Sequence, residues 1–352
     1  MASPRSSRNL FLLALLVLAG LALLLARHRI HLDARALASQ LRAASWRWIL
    51  LGIALIYATY WLRALRWAVL LRPVQPASAW SLLPWQIIGF TLTGLFGRLT
   101  DMARPFLIAR HTRTPIATQL AIYSIERAFD LGAAAVLFSL SLALAPRSMP
   151  HHEAFARAGL LASAATAVLA LLAVTLRLQG DWLARATARF LTPLSPSIAS
   201  AVSARLLDFA SGLRAISTLA EFLNATWLSL LMWSLIAASY LCCTRAFPAC
   251  PPLATLSIAG VMLLMATSMG GSLLQLPVLG WFTQAAVLAA ALHEFFAVPL
   301  EPASACGIVV QLVGTLSVIP LGLLVARATG TGLRAAAANV PAASSQLESK
   351  AQ

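Results

Sequence analysis

Three clusters of charge stand inside or against apolar sequence. An ionised side chain in hydrocarbon costs at least about 2.5 kcal/mol on insertion scales, so each cluster asks for a partner or a purpose. The first runs Gly97, Arg98, Leu99, Thr100, Asp101, Met102, Ala103, Arg104, Pro105. On a helix Arg98, Asp101 and Arg104 are each three residues apart, so one carboxylate can bridge two guanidinium groups and leave donors free for a phosphate. The alternative is a charged cap where the chain leaves a membrane, held by snorkelling. The second cluster is Glu126, Arg127 and Asp130, within the apolar run 116–144. Glu126 and Asp130 share a helix face at i and i+4 and repel unless a cation lies opposite them, while Arg127 falls off that face. Arg98 or Arg104 is the candidate partner, in a buried network whose role is architecture or binding. The third cluster, Arg63 and Arg66 with Trp61 and Trp67, reads as an aromatic belt with snorkelling arginines. His293 and Glu294, beside Phe295 and Phe296, read as interfacial.

Signatures of enzymes are missing: no G-x-S-x-G, P-loop, H-E-x-x-H or G-x-G-x-x-G occurs. Acid/base chemistry needs paired acids facing a polar cavity, and only Glu126 with Asp130 offers such a pair. The expectation is therefore a protein that is not an enzyme, with a membrane transferase as the weaker alternative. Cys242, Cys243, Cys250 and Cys306 show no C-x-x-C and no Cys/His ligand spacing, so free thiols are expected, with neither metal nor cofactor.

The elements that must position these residues are membrane helices. The 352 residues are 60% hydrophobic and 11% charged, with a mean hydropathy of +0.82, where a soluble domain carries about a quarter charged residues. Apolar runs read as spans at Leu10–Ala26, Trp48–Leu71, Pro115–Ala145, Phe155–Leu176, Phe222–Phe247, Leu253–Leu276, Trp281–Val298 and Pro302–Ala326. The first reads as a retained signal anchor. The run Trp80–Gly97 is interrupted by Pro84, Gly89, Gly94 and Gly97, and a re-entrant or broken helix buried in protein suits it better than a lipid-facing span. Late in the chain, Gly270 and Gly271 to Pro277 and Gly280 interrupt an apolar run in the same way. Two such breaks, one in each half, point to a mid-membrane binding site that includes Gly271 and Gly280. The fold expected is all-α, polytopic, with about eight transmembrane helices plus broken or re-entrant segments. A single transmembrane domain covers 1–334, with a cytoplasmic loop at 177–221 and a disordered tail at 335–352. Within the loop Val202, Leu206, Phe209, Leu213 and Ile216 recur at helical spacing, which suits either a surface-lying amphipathic helix or ordinary packing on the bundle.

Orientation follows the arginines. Arg327, Arg334 and Lys350 follow the last span, so that end is expected in the cytoplasm. Arg27, Arg29, Arg35, Arg42 and Arg47 follow the first span and are external if Trp80–Gly97 re-enters and both termini are inside. The net charge of +15 carries no basic stripe with interleaved aromatics, which excludes nucleic acid and points to anionic lipid head groups.

At these residues the sequence resembles the flippase-like family of bacterial integral membrane proteins that includes the transmembrane region of lysylphosphatidylglycerol synthase. That family carries a G-R-x-G-E-x-x-R pattern after a broken apolar segment, E-R-x-x-D in the next span and an earlier R-W pair. Gly97, Arg98, Asp101 and Arg104 match the first with Thr100 for Gly and Asp for Glu; Glu126, Arg127 and Asp130 match the second; Arg66 and Trp67 match the third. The family's late P-G-G-x-G turn is followed by an acid, whereas Pro277, Val278, Leu279 and Gly280 lead here to Thr283 and Gln284. The resemblance implies lipid movement or lipid-precursor handling in a bacterial inner membrane, not synthesis of lysyl lipid. Arg98 and Arg104 would hold phosphate, oriented by Asp101, with Glu126, Arg127 and Asp130 beside them. The alternatives are a non-transporting accessory subunit of a cell-envelope or membrane-lipid pathway and, third, a membrane lipid transferase. A homo-oligomer or an envelope-biosynthesis partner is compatible with each.

Overall fold

The computed structural model describes residues 33–97, 100–143, 152–193, 195–196, 199–200, 202–203, 218–271 and 279–333. The expected anchor at 10–26, Arg98, most of the amphipathic loop (204–217) and the tail from 334 lie outside them. Among the described residues there are twelve α-helices and no strand: α1 Ala34–Ala43, α2 Trp46–Leu71, α3 Ala79–Phe96, α4 Ala103–Thr112, α5 Ile116–Ala143, α6 His152–Leu191, α7 Leu219–Arg245, α8 Pro251–Ala254, α9 Ile258–Gly271, α10 Leu279–Phe296, α11 Leu300–Gln311 and α12 Val318–Ala328. A π-helical turn, Leu312–Leu316, joins α11 to α12 in one 29-residue apolar span. That span, α2, α3 and α7 are each long and apolar enough to cross a membrane. The chain is an all-helical, multi-pass membrane protein.

Local sequence sets the helix ends. Thr218 and Glu221 form a reciprocal capping box that starts α7. Ser78 caps α3 by accepting from the Ser81 amide. Pro84 does not break α3, contrary to the sequence expectation. It falls within the first two turns, where its missing N–H costs only the bond to the Trp80 carbonyl, at an exposed residue of the helix start. The break comes at Gly97, whose φ of 82° is open to glycine and ends the helix.

Pairwise contacts define the bundle. Ser239 Oγ donates to the Gly52 carbonyl (3.0 Å) and Arg66 Nη1 to Ser229 Oγ (2.6 Å), so α2 and α7 are antiparallel. Gly52 packs on Val313 and Tyr57 Oη donates to the Ser317 carbonyl (2.7 Å), so α2 runs parallel to the last span. Arg327 and the C-terminus of α2 therefore share one end of the molecule. At the other end lie α1, Ala246 and α8: the Ser45 amide bonds the Ala246 carbonyl (2.8 Å), and Ala44, Phe247, Leu253 and Val298 share a core. The arginines of α1, Arg35 and Arg42, thus sit at the end opposite Arg327.

Between these ends stand two helical hairpins. In the first, Arg104 of α4 meets Gln86 of α3 and His111 meets Trp85, so α4 returns alongside α3. Gly94 packs on Thr315 and Ile319, which places the tip of this hairpin level with the middle of the 300–328 span. The chain therefore turns back about halfway along the bundle, as a re-entrant segment does. In the second hairpin, Gln284 of α10 meets Ser268 of α9 (2.7 Å) and Gly260 lies against Phe296, so the chain reverses between Gly271 and Leu279. Of the expected span Leu253–Leu276, residues 272–276 lie outside the described ones, and the described part is α8, a turn at Thr255 and α9. The described part of α9 has 14 residues and a length of about 21 Å. The hairpins enter from opposite ends and their tips touch: Trp281 Nε1 donates to the Gly94 carbonyl at 2.8 Å.

Candidate functional site

On the first hairpin's flank α2, α4 and α5 bring their charges into one network. Arg66 stands about a turn and a half before the end of α2. It does not snorkel: its side chain is 1% exposed and reaches inward. Nη2 donates to Glu126 Oε1 (2.8 Å), while Nη1 donates to Asp130 Oδ1 (2.7 Å) and Ser229 Oγ (2.6 Å). The expected belt arginine is thus the missing cation opposite the paired acids. Two carboxylates one turn apart on α5 repel in hydrocarbon, and this guanidinium fork spans both. Arg63, one turn earlier on α2, lies 3.6 Å from Glu126 Oε1 and 3.5 Å from Asp130 Oδ2, over the face of Phe90.

Arg104 completes the network from α4. It is fully buried, with Nη1 3.3 Å from Glu126 Oε2 and 3.2 Å from Gln86 Oε1, and Nη2 3.3 Å from Asp101 Oδ1. The rings of Phe90, Trp67 and Tyr123 surround its guanidinium at 4.4, 5.8 and 5.4 Å from their centroids, a cation–π setting for a desolvated charge. Tyr123 Oη donates to Asp101, and Trp67 Nε1 donates to Gln119 Oε1 at 2.9 Å. Gly89 makes the approach of α4 to α3 possible, since a Cβ there would lie 2.0 Å from Arg104 Cγ. Arg127, 40% exposed, lies 3.0 Å from Asp130 and 3.5 Å from Glu126. Among the described residues, four guanidinium groups (Arg63, Arg66, Arg104, Arg127) thus face three carboxylates (Asp101, Glu126, Asp130), leaving one positive charge over.

Next to the network is a cavity of about 150 Å³, walled by α2, α7 and the last span with one residue from each hairpin. Arg63 and Phe90 line it on one side, Tyr240 and Gln284 on another, and Gln311, Gly314 and Thr315 along the π-helical turn. Tyr240 Oη and Gln284 Nε2 both donate to Ser268 Oγ, at 2.9 and 2.7 Å. Among the described residues, Arg63 Nη1, Gln284 Oε1 and Gln311 Nε2 are buried without a hydrogen-bond partner.

Of the residues singled out in the sequence, the structure brings Asp101, Arg104, Glu126, Arg127 and Asp130 together. Arg98 lies outside the described residues. Asp101 and Met102 lie in a turn before α4, which begins at Ala103, and Asp101 still pairs with Arg104 three residues on. Arg127, set off the acidic face in the sequence, nevertheless reaches both acids with its long side chain. Gly271 ends α9 and Gly280 lies in the first turn of α10, beside Trp281, so both belong to the second hairpin and not to the charged network. Sequence reasoning missed Arg66, Arg63, Gln86 and Ser229 as network members. The pairing of Glu126 with Asp130 on one face signalled the need for a cation, but nothing in the sequence said which helix supplies it.

Neither the curated proteins nor the solved structures yielded a match to this chain. The family model described as the lysylphosphatidylglycerol synthase TM region matches residues 11–333, which includes both hairpins and every residue of the network. By that match the chain belongs to the lysylphosphatidylglycerol synthase transmembrane-region family.

Proposed function

We propose that the protein is a lipid translocase of a bacterial inner membrane, which holds the anionic head group of a phospholipid or polyprenyl-linked lipid between its two hairpins and moves it across the bilayer. The observation that carries this reading is the meeting of two hairpins from opposite ends at mid-span, beside a network with one surplus positive charge. Each hairpin contributes one side chain to the cavity wall, Phe90 from the first and Gln284 from the second. Release of either tip gives access from one side at a time, which is the requirement for moving a head group without opening a pore. A phosphate that draws Arg63 or Arg104 away from Glu126 and Asp130 makes a different set of contacts in the loaded state, and such a difference is what lets a ligand shift a conformational equilibrium. With no nucleotide-binding motif in the sequence, the reading takes movement as downhill or gradient-driven and assigns no catalytic residue.

Purified protein in liposomes carrying fluorescent phosphatidylglycerol tests this. A membrane-impermeant quencher should reach the inner-leaflet probe in the presence of the protein and fail to do so in protein-free liposomes. A second reading draws on the burial of Arg66, Arg104 and Glu126, each at most 1% exposed: the charges hold an accessory subunit together and move nothing. It predicts folded protein in the same liposomes with no effect on quenching.

A further inference from the structure

The last span is continuous in sequence but is held as two halves. Its first half, α11, is fastened to the second hairpin: Gly307 lies so close to α10 that a Cβ there would stand 2.5 Å from the Ala285 carbonyl oxygen. Its second half, α12, is fastened to the first hairpin. A Cβ at Gly322 would stand 1.7 Å from Thr91 Oγ1 of α3, and Ala326 shares a buried core with Ile88 and Leu92 of α3 and Ala103 and Leu107 of α4. Close-packed contacts of this kind transmit a displacement and do not absorb it. Any movement of one hairpin against the other therefore has to be taken up between α11 and α12.

That is where the helix is weakest. The Ser317 amide reaches back to the Leu312 carbonyl at 2.8 Å, one residue further than in an α-helix, so the π-helical turn holds an extra residue. Pro320, exposed in the first turn of α12, has no N–H to offer the Leu316 carbonyl, and the ladder loses a second bond. Both features are established causes of helix bending. Gly314 lies within the turn although a Cβ there would meet nothing within 4 Å. Packing does not call for a glycine at that place, and in a helix glycine holds the backbone less firmly than alanine. The tip of the first hairpin stands at the same level, with Gly94 against Thr315 and Ile319 and its carbonyl bonded by Trp281 of the second.

We infer that the π-helical turn Leu312–Leu316 is a hinge, at which the last span bends so that the two hairpins, each carrying its own half of that span, part and meet as two bodies. A few residues at an element boundary absorb the change of backbone angles, as hinges in other folds do. The inference goes beyond the translocase reading, since it concerns what moves in the protein and holds whether or not lipid passes between the tips.

Spin-label distances in the full chain, in liposomes with and without phosphatidylglycerol, test it. Cysteines replacing Arg110 of α4 and Glu294 of α10, both exposed, carry labels on the two hairpins, and the four native thiols are buried. A second pair, at Arg110 and the exposed Leu324 of α12, lies within one body. The wild type should show two separations or one broad distribution for the first pair and one narrow separation for the second. Deleting Leu312, the exposed residue of the turn, restores the α-helical count and should collapse the first distribution to a single narrow separation. If that deletion fails to fold, Pro320→Ala and Gly314→Ala, which restore a backbone donor and a firmer helix, should narrow it in the same sense. A single fixed separation between the hairpins of the wild type, a spread unchanged in the folded variants, or an equal spread within the second pair overturns the inference. Bending in a protein that moves no lipid would sink the translocase reading alone, and lipid movement at one fixed separation would sink the hinge alone.

Discussion

Arg66 does what no other guanidinium of the network does: it hydrogen-bonds both acids of α5 and a hydroxyl of α7 from a position with 1% exposure. Removing it takes away the shortest charge-assisted hydrogen bonds of Glu126 and Asp130 and leaves the longer contacts of Arg63, Arg104 and Arg127, so Arg66→Ala should lower stability by about 2–4 kcal/mol. Arg127→Ala should cost far less, because the 40% exposed guanidinium is screened by its surroundings. Unfolding in detergent measures both. Glu126→Gln and Arg104→Gln lie in one contact, so the double variant should recover part of the loss that each causes alone, and strictly additive losses would show that the two do not interact. Gly89→Ala should cost about 1–3 kcal/mol, because Arg104 is fully buried and has nowhere to move when a methyl group arrives at its Cγ. The acids of this network were legible in the sequence and Arg66 was not. Spacing at i and i+4 is a local property, while the partner sits 60 and 64 residues earlier in the chain, where its place near a helix end resembles an ordinary interfacial arginine.

At the scale of elements, two glycine- and proline-interrupted runs marked the two hairpins in advance, because several such residues close together weaken a helix that has only lipid for a neighbour. Their geometry was less legible. Pro84 looked like a break and is absorbed in the first turns of α3, whereas the turn itself depends on Gly97, where positive φ is needed. Leu253–Leu276 is apolar enough to read as one span, and only the packing of Ser268 on Gln284 shows that α9 is half of a pair. The contact between tips rests on one hydrogen bond, from Trp281 to the Gly94 carbonyl. Trp281→Phe keeps most of the ring and removes the donor. It should change global stability by about 1 kcal/mol while altering lipid movement more strongly, and that split separates a gate from a strut. The placement of the hairpins also fixes sidedness: single cysteines at Ser39 and Thr329, both exposed, should react with an impermeant thiol reagent from opposite faces of a vesicle. Labelling of both from one face would require α1 and α12 to lie at the same end of the bundle, against their contacts.

For the whole molecule, the two hairpins, the surplus charge and the cavity make one device only if lipid passes between the tips. Chain-wide hydropathy shows a multi-pass protein but not how its halves meet, because the meeting depends on contacts such as Gly94 with Trp281, 187 residues apart. Cysteines placed at Gly94 and Trp281 and joined by a short, reducible crosslinker lock the tips together, and the four native thiols are buried away from the reagent. The decisive measurement is the rate at which fluorescent phosphatidylglycerol crosses proteoliposomes of this variant before crosslinking, after it and after reduction. The account predicts movement in the open protein, arrest in the crosslinked one and recovery on reduction. Movement that continues undiminished with the tips locked would place the lipid path elsewhere, and folded wild-type protein that moves no lipid would contradict the account outright.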